Sequence, residues 1–178
     1  MGQEVIVETK RMILRKFQTE DLEGMWELDS NPEVHRYLGN DPVTDKNFLK
    51  GVIQSLQTQY AENGIARWAV INKETGEFMG WSGLKYVTET TNGLVNFYDL
   101  GYRFKQKYWG MGYGFESAEA ALRYGFDVLQ LQELYASAHV HNQASNAILK
   151  RLGFEFQNRF FYEKEENNWY KITRRVID

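Results

Sequence analysis

The stretch Trp109-Gly110-Met111-Gly112-Tyr113-Gly114-Phe115-Glu116 constrains this chain more than any other. Glycine stands at every second position, between a strand expected over 97–104 and an amphipathic helix expected over 115–129. In that helix Phe115, Ala118, Leu122, Phe126 and Leu129 form one apolar stripe. Residues without a Cβ let backbone N–H groups converge, and a helix start directly behind adds its positive dipole end. Such a turn can grip a pyrophosphate. Two familiar phosphate motifs fail on spacing. Counted from Gly110 and Gly112, the third glycine of a dinucleotide fingerprint falls on Phe115, and no Gly-Lys-Ser/Thr occurs anywhere to end an NTPase loop.

The surrounding pattern reads as one domain, 1–178, without repeats, low-complexity tracts or Pro/Ser-rich linkers. Val5 to Arg15 alternates as a strand; Leu22, Met25, Trp26 and Asp29 follow at helical spacing after a Thr19 cap. A second helix is expected over 45–61 behind Thr44, with Phe48, Val52, Ser55, Leu56 and Gln59 along one side. Strands over 67–72, 78–86 and 94–104 make an antiparallel meander with a turn at Glu74-Thr75-Gly76. A short strand at 133–140 precedes a helix at 144–152, closed by Gly153. A final hairpin pairs 154–162 with 169–176 around 163–168. The class is α/β (α+β): a mixed, mostly antiparallel sheet flanked by helices.

Composition narrows the chemistry. The chain of 178 residues has no cysteine, which removes disulfides, thiolate nucleophiles and zinc-thiolate sites and suits a reducing compartment. No signal-peptide pattern opens it and no apolar run reaches the roughly eighteen residues of a membrane span, so a cytoplasmic protein without a membrane partner is expected. Met1-Gly2 begins like a myristoylation signal, but Ile6 stands where Ser or Thr is needed. A formal charge of −3 argues against a nucleic-acid partner and is compatible with a cationic amine substrate.

The blocks Thr9-Lys10-Arg11-Met12-Ile13-Leu14-Arg15, Thr19-Glu20-Asp21-Leu22 and Asn31-Pro32-Glu33-Val34 open a longer ordered pattern. It continues through Asp99-Leu100-Gly101-Tyr102, Tyr108 to Tyr113, Asn142-Gln143-Ala144-Ser145-Asn146 and Leu152-Gly153-Phe154. Over essentially its whole length the chain resembles the GNAT superfamily of acyl-CoA N-acyltransferases, and within it the RimJ/RimL-like branch that acetylates ribosomal-protein N-termini. The resemblance implies the GNAT fold, acetyl-CoA as cosubstrate and transfer to a primary amine. With no cysteine for an acetyl-enzyme and no third metal ligand at a fixed spacing, direct attack in a ternary complex without a metal is expected. The acceptor it implies is a protein N-terminal α-amine. A small amine (aminoglycoside, amino acid or polyamine) and a non-catalytic acetyl-CoA-binding module are the alternatives. Homodimerisation is an expectation by analogy alone.

Roles for single residues follow from the same resemblance, each beside a plainer reading. The glycine turn, Trp109, Gly110, Met111, Gly112, Tyr113, Gly114 and Phe115, would hold the diphosphate through its backbone. The main chain at Tyr102 would face the acetyl oxygen and that at Phe104 the pantetheine arm. Gly101 suggests a bulge, which would free those amides, or a close backbone approach, or simply relief of packing under a helix. Asp99 is the general-base candidate, or an ion pair with Arg103 two residues on. Asn142 and Asn146 would touch the pantetheine and pyrophosphate portion, and Ser145 would protonate the leaving thiolate. A helix cap at Asn142 and back-bonding at Ser145 are the plainer readings. Leu149 stands where many members of the superfamily carry a tyrosine acid. His139 and His141 share a strand face without an evident third metal ligand, and His35 reads as a lone surface histidine. Glu163-Lys164-Glu165-Glu166 is an acidic turn that could guide a cation. Trp26, Tyr37 and Trp81 are candidate walls of the acceptor site.

Overall fold

Residues 4–175 are described by the computed structural model of the chain. The alternation from Val5 to Arg15 folds as a hairpin rather than one strand, β1 (Val5–Glu8) and β2 (Met12–Arg15). Thr9 closes the turn: its amide bonds the Met12 carbonyl at 2.9 Å and its hydroxyl accepts the Met12 amide at 3.0 Å. A single helical turn at Thr19–Asp21 then leads into α1 (Leu22–Asp29), and Gln18 with Asp21, not Thr19, forms the capping box. Helix α2 (Lys46–Asn63) is capped by Asp45, whose carboxylate takes the Asn47 amide at 2.9 Å, rather than by Thr44.

Strands β3 (Trp68–Asn72), β4 (Phe78–Val87) and β5 (Phe97–Phe104) form the meander, and α3 (Tyr113–Arg123) follows the glycine turn. Helix α3 ends in a wider π turn, Tyr124–Val128, with Leu129 N–H reaching back to Tyr124 at 3.1 Å. Then come β6 (Glu133–His139), α4 (Gln143–Leu152), β7 (Glu155–Tyr162) and β8 (Glu165–Thr173). The last turn is only Glu163-Lys164, shorter than the loop expected over 163–168. Polar Glu165 to Asn168 are strand because β8 lies between β6 and β7 and pairs on both edges, which overrides their weak propensity. Val176, the expected end of that strand, lies outside the described residues.

The sheet runs β1-β2-β3-β4-β5-β6-β8-β7 and is antiparallel except between β5 and β6. One face buries Met12, Leu14, Trp68, Val70, Leu84, Leu100 and Phe104 under α3 and α4. The other buries Phe17, Ala69, Ile71 and Phe78 under Met25 and Leu28 of α1 and Leu49, Ile53 and Leu56 of α2. On that second face β5, β6 and β8 carry a smaller cluster, Phe97, Tyr135 and Trp169, beside which the sheet is left open to a cavity. No helix among the described residues is long and apolar enough to cross a membrane.

Candidate active site

Strand β5 is paired with β4 without interruption from Phe97 to Phe104, so it carries no bulge. Its free backbone groups arise on the other edge. Among the described residues the parallel pair β5–β6 has one register contact, Asp99 opposite Tyr135, and beyond it the two C-terminal ends separate. Lys105 N–H bonds Met79 of β4 at 2.9 Å, and antiparallel ladders alternate, so the amides of Tyr102 and Phe104 turn toward this gap. The Phe104 carbonyl is taken by the indole N–H of Trp109 at 2.8 Å, which ties the glycine turn to the strand end.

In that turn Gly110 and Gly112 have φ of +72° and +83°, the left-handed region that side chains disfavour. Glu116 N–H bonds the Gly112 carbonyl at 3.0 Å, the first bond of α3, so the amides from Gly110 to Phe115 find no acceptor within the described residues. Unpaired, outward-facing donors at a helix start fit a diphosphate. Tyr113 stacks on Phe104 with centroids 6.5 Å apart, and Phe115 carries the Arg151 guanidinium 3.8 Å above its ring. Gly114 sits where a Cβ would stand 3.2 Å from Ile148 of α4, so the two helices approach closely here. Met111 is exposed, but its carbonyl is held by Arg11 at 2.9 Å.

Across the gap α4 presents Ser145. Its Oγ is 3.0 Å from the Tyr102 hydroxyl, so the strand residue whose amide faces the gap also places a phenol against the serine. Burial pushes the Tyr102 phenol up to about 12, with the Ser145 contact opposing, which keeps it protonated at cellular pH. Asn142 caps α4 through Oδ1 to the Ser145 amide at 3.1 Å and lines the cavity. Asn146 differs from the expectation of a ligand contact. It is 8% exposed, its Nδ2 donates to the His139 and Asn142 carbonyls, and its Oδ1 accepts from Asn168 and from Tyr170 at 2.6 Å. All its hydrogen-bonding capacity is used inside the protein, pinning α4 to β6 and β8.

The opposite face of β5 carries Asp99, Gly101 and Arg103, with Trp81 of β4 beside them. Asp99 does not pair with Arg103. Its carboxylate pairs with Arg67, whose other nitrogen donates to the Asp99 carbonyl at 2.6 Å. The guanidinium lies directly over Gly101, where a Cβ would stand 2.8 Å from its Nη2, so this glycine is a close-approach site rather than a bulge. Withdrawal from water raises the Asp99 carboxyl above the usual range, while Arg67 opposes that shift and favours the ionised form. Arg103 instead bonds Asp29 of α1 at 2.6 Å, and buried His35 approaches the same oxygen at 3.3 Å. The Arg67 and Arg103 guanidiniums stand 5.3 and 5.1 Å from the Trp81 ring.

These groups floor a cavity of about 1310 Å³ lined by Asp99, Tyr102, Ser145 and Asn142, by the segment after α1 including Tyr37, and by Glu163 and Glu165. Of the expected walls only Tyr37 lines the cavity: Trp81 packs beside Arg67 and Arg103 without lining it, and Trp26 lies under Lys46. His139 takes the His141 amide on Nδ1 at 3.1 Å, so its Nε2 donates to Glu165 at 3.0 Å and neither nitrogen is left for a base or a metal. No group of three or more metal-ligating side chains gathers among the described residues. Sequence reasoning missed Arg67, Asp29 and Arg11. Arg11 lies in a block that resemblance singled out and Asp29 stands out only by its helical spacing, but nothing local to Arg67 marks it.

An acetyltransferase (GNAT) domain model matches residues 11–155. The chain is 31% identical over 170 residues to an uncharacterised N-acetyltransferase, p20, of Bacillus licheniformis, covering 96% of this chain and 90% of the relative. Among solved structures it superposes on the ribosomal-protein-S5-alanine acetyltransferase of Vibrio fischeri at a TM-score of 0.77, with 15% identity and 96% and 97% of the two chains covered. It also superposes on spermidine N-acetyltransferase of Vibrio cholerae, in complex with CoA and spermine, at 0.72 with 18% identity, covering 93% and 96%. A family that uses acetyl-CoA, a sheet that splits beside free amides, and a domain match over most of the length agree. The chain belongs to the GNAT acetyltransferase family and is an acyltransferase.

Proposed function

We propose that this protein transfers an acetyl group from acetyl-CoA to the α-amine of a protein N-terminus, of the ribosomal-protein type, by direct attack in a ternary complex. The observation that carries the reading is the split between β5 and β6, which turns the Tyr102 and Phe104 amides toward the same gap as Ser145 and opens onto the Asp99 cavity. The Tyr102 amide meets the thioester oxygen and strengthens its bond as negative charge develops there. The unpaired amides from Met111 to Phe115 receive the diphosphate. Asn142 offers its Nδ2 along the way, and Asn146 acts from behind by fixing α4.

Asp99, ionised beside Arg67, accepts the proton of the attacking amine, directly or through water; being shorter than a glutamate it favours the relay. Ser145, backed by the Tyr102 phenol, returns a proton to the departing thiolate, a modest task for a thiol of pKa about 8.5. With no cysteine in the chain there is no thiol to carry an acetyl-enzyme. An α-amine of pKa about 8 asks less of the base than a lysine of about 10.4, which favours an N-terminus over a side chain.

A small polycation is the second reading, favoured by the carboxylates Asp41, Asp45, Glu89, Glu163 and Glu165 around the cavity. Thiol release from acetyl-CoA, measured with ribosomal-protein N-terminal peptides, polyamines, amino acids and aminoglycosides, tests both. Turnover confined to peptides supports the first reading, turnover confined to small amines replaces it, and tight acetyl-CoA binding with no turnover leaves a binding module.

A further inference from the structure

The glycine turn is gripped from 105 residues away. Arg11, at the β1–β2 turn, donates Nη1 to the Met111 carbonyl at 2.9 Å and Nε to Glu116 Oε2 at 2.7 Å. Its own amide donates to Glu116 Oε1 at 3.1 Å, and its guanidinium carbon stands 4.0 Å from the Tyr113 ring centre. We propose that Arg11 is a positioning residue for acetyl-CoA: it orients the Met111–Gly112 peptide and cancels the Glu116 carboxylate fixed in the first turn of α3, beside the diphosphate site. The inference rests on reading 110–115 as that site.

Two physical effects meet at this side chain. A trans peptide holds its C=O and N–H on opposite sides, so capturing the Met111 oxygen aims the Gly112 N–H away from Arg11. A carboxylate in the first turn of a helix stabilises the helix dipole but repels an arriving anion. The guanidinium neutralises Glu116 at hydrogen-bond distance. In Arg11→Ala the main-chain bond at 3.1 Å persists, so the carboxylate stays where it is and loses its countercharge.

The test uses the intact chain with an acceptor it acetylates. Arg11→Ala is expected to raise the KM for acetyl-CoA about tenfold or more and leave kcat within about twofold, the mark of lost ground-state binding. With S-acetylpantetheine, which has no diphosphate, variant and parent should have equal kcat/KM. Adding Glu116→Gln to Arg11→Ala should recover about half of the lost affinity on a logarithmic scale, because the repulsion goes with the charge. Arg11→Lys keeps a cation but not the fork, gives a rise of about threefold, and decides the matter if the alanine variant does not fold. An unchanged KM for acetyl-CoA, an equal loss on S-acetylpantetheine, or no recovery from Glu116→Gln overturns the proposal. Failure of the parent chain to bind CoA in calorimetry overturns the diphosphate reading itself, and this inference with it.

Discussion

At the start of α3 the groups without a partner among the described residues are backbone amides, contributed by six consecutive residues from Gly110 to Phe115. The cavity across the gap is lined by side chains gathered from distant segments: His35 after α1, Arg67 before β3, Asp99 and Arg103 on β5, with Asp29 of α1 and Trp81 of β4 packed against the arginines. What distinguishes the first region is its main-chain conformation, with glycine at the two left-handed positions 110 and 112. What distinguishes the second is paired charge, each arginine matched to one aspartate. The proposed cosubstrate site is thus written in a short stretch of chain, while the proposed acceptor site is written in the register of the sheet.

The comparison breaks most visibly at Asp99. If the cavity side supplies the base, Asp99→Asn should lower kcat/KM about a hundredfold near pH 6.5 and much less near pH 9.5, where the acceptor amine is already neutral. In the parent, burial has raised the Asp99 carboxyl, so activity should fall as acidification protonates it, beginning at a higher pH than an ordinary carboxylate would give. An equal loss at every pH makes Asp99 a structural partner of Arg67. On the other side, Gly112→Val forces a β-branched residue into φ near +83° and should raise the KM for acetyl-CoA about thirtyfold, with kcat nearly kept. Steady-state kinetics in which kcat falls and KM does not would move the cosubstrate elsewhere.

A third variant sharpens the boundary between the regions. Gly101→Ala places a methyl 2.8 Å from the Arg67 guanidinium and should destabilise the fold by about 1–3 kcal/mol. Its denaturant midpoint should drop, and the acid limb of the rate profile should shift, because Arg67 leaves Asp99. The smallest effect is expected from Ser145→Ala: a fall in kcat of about fivefold with both KM values unchanged, since a thiol leaves well and the Tyr102 phenol remains. A loss of a hundredfold or more would promote Ser145 to the principal acid.

Legibility followed the same division. Glycine spacing, the strand before it and the helix after it mark the turn within one window of sequence, and the eight strands were mostly visible as alternation. The hairpin at Thr9 escaped because the apolar alternation runs straight through it, and only a side-chain bond to Met12 breaks the strand. The polar start of β8 escaped because its neighbours on both edges, not its composition, make it a strand. Gly101 stands out as a glycine inside a strand, where a bulge or a close approach is expected; the group that approaches is the Arg67 side chain, which no spacing connects to it. Asn146 stood out inside an ordered block, and its buried bonds to Asn168 and Tyr170 lie beyond any local pattern.

The single register contact between β5 and β6 has a thermodynamic consequence for turnover. Separating two neighbouring strands leaves main-chain donors without partners, a penalty the folded state carries at all times and offsets with the packing of α3 and α4 beneath. In the proposed transfer nothing need rearrange when negative charge appears on the reacting oxygen, because the dipoles already stand in place and the reorganisation was completed during folding. For the same reason, a substitution that let the two strands zip further should make the protein hardier and slower at once.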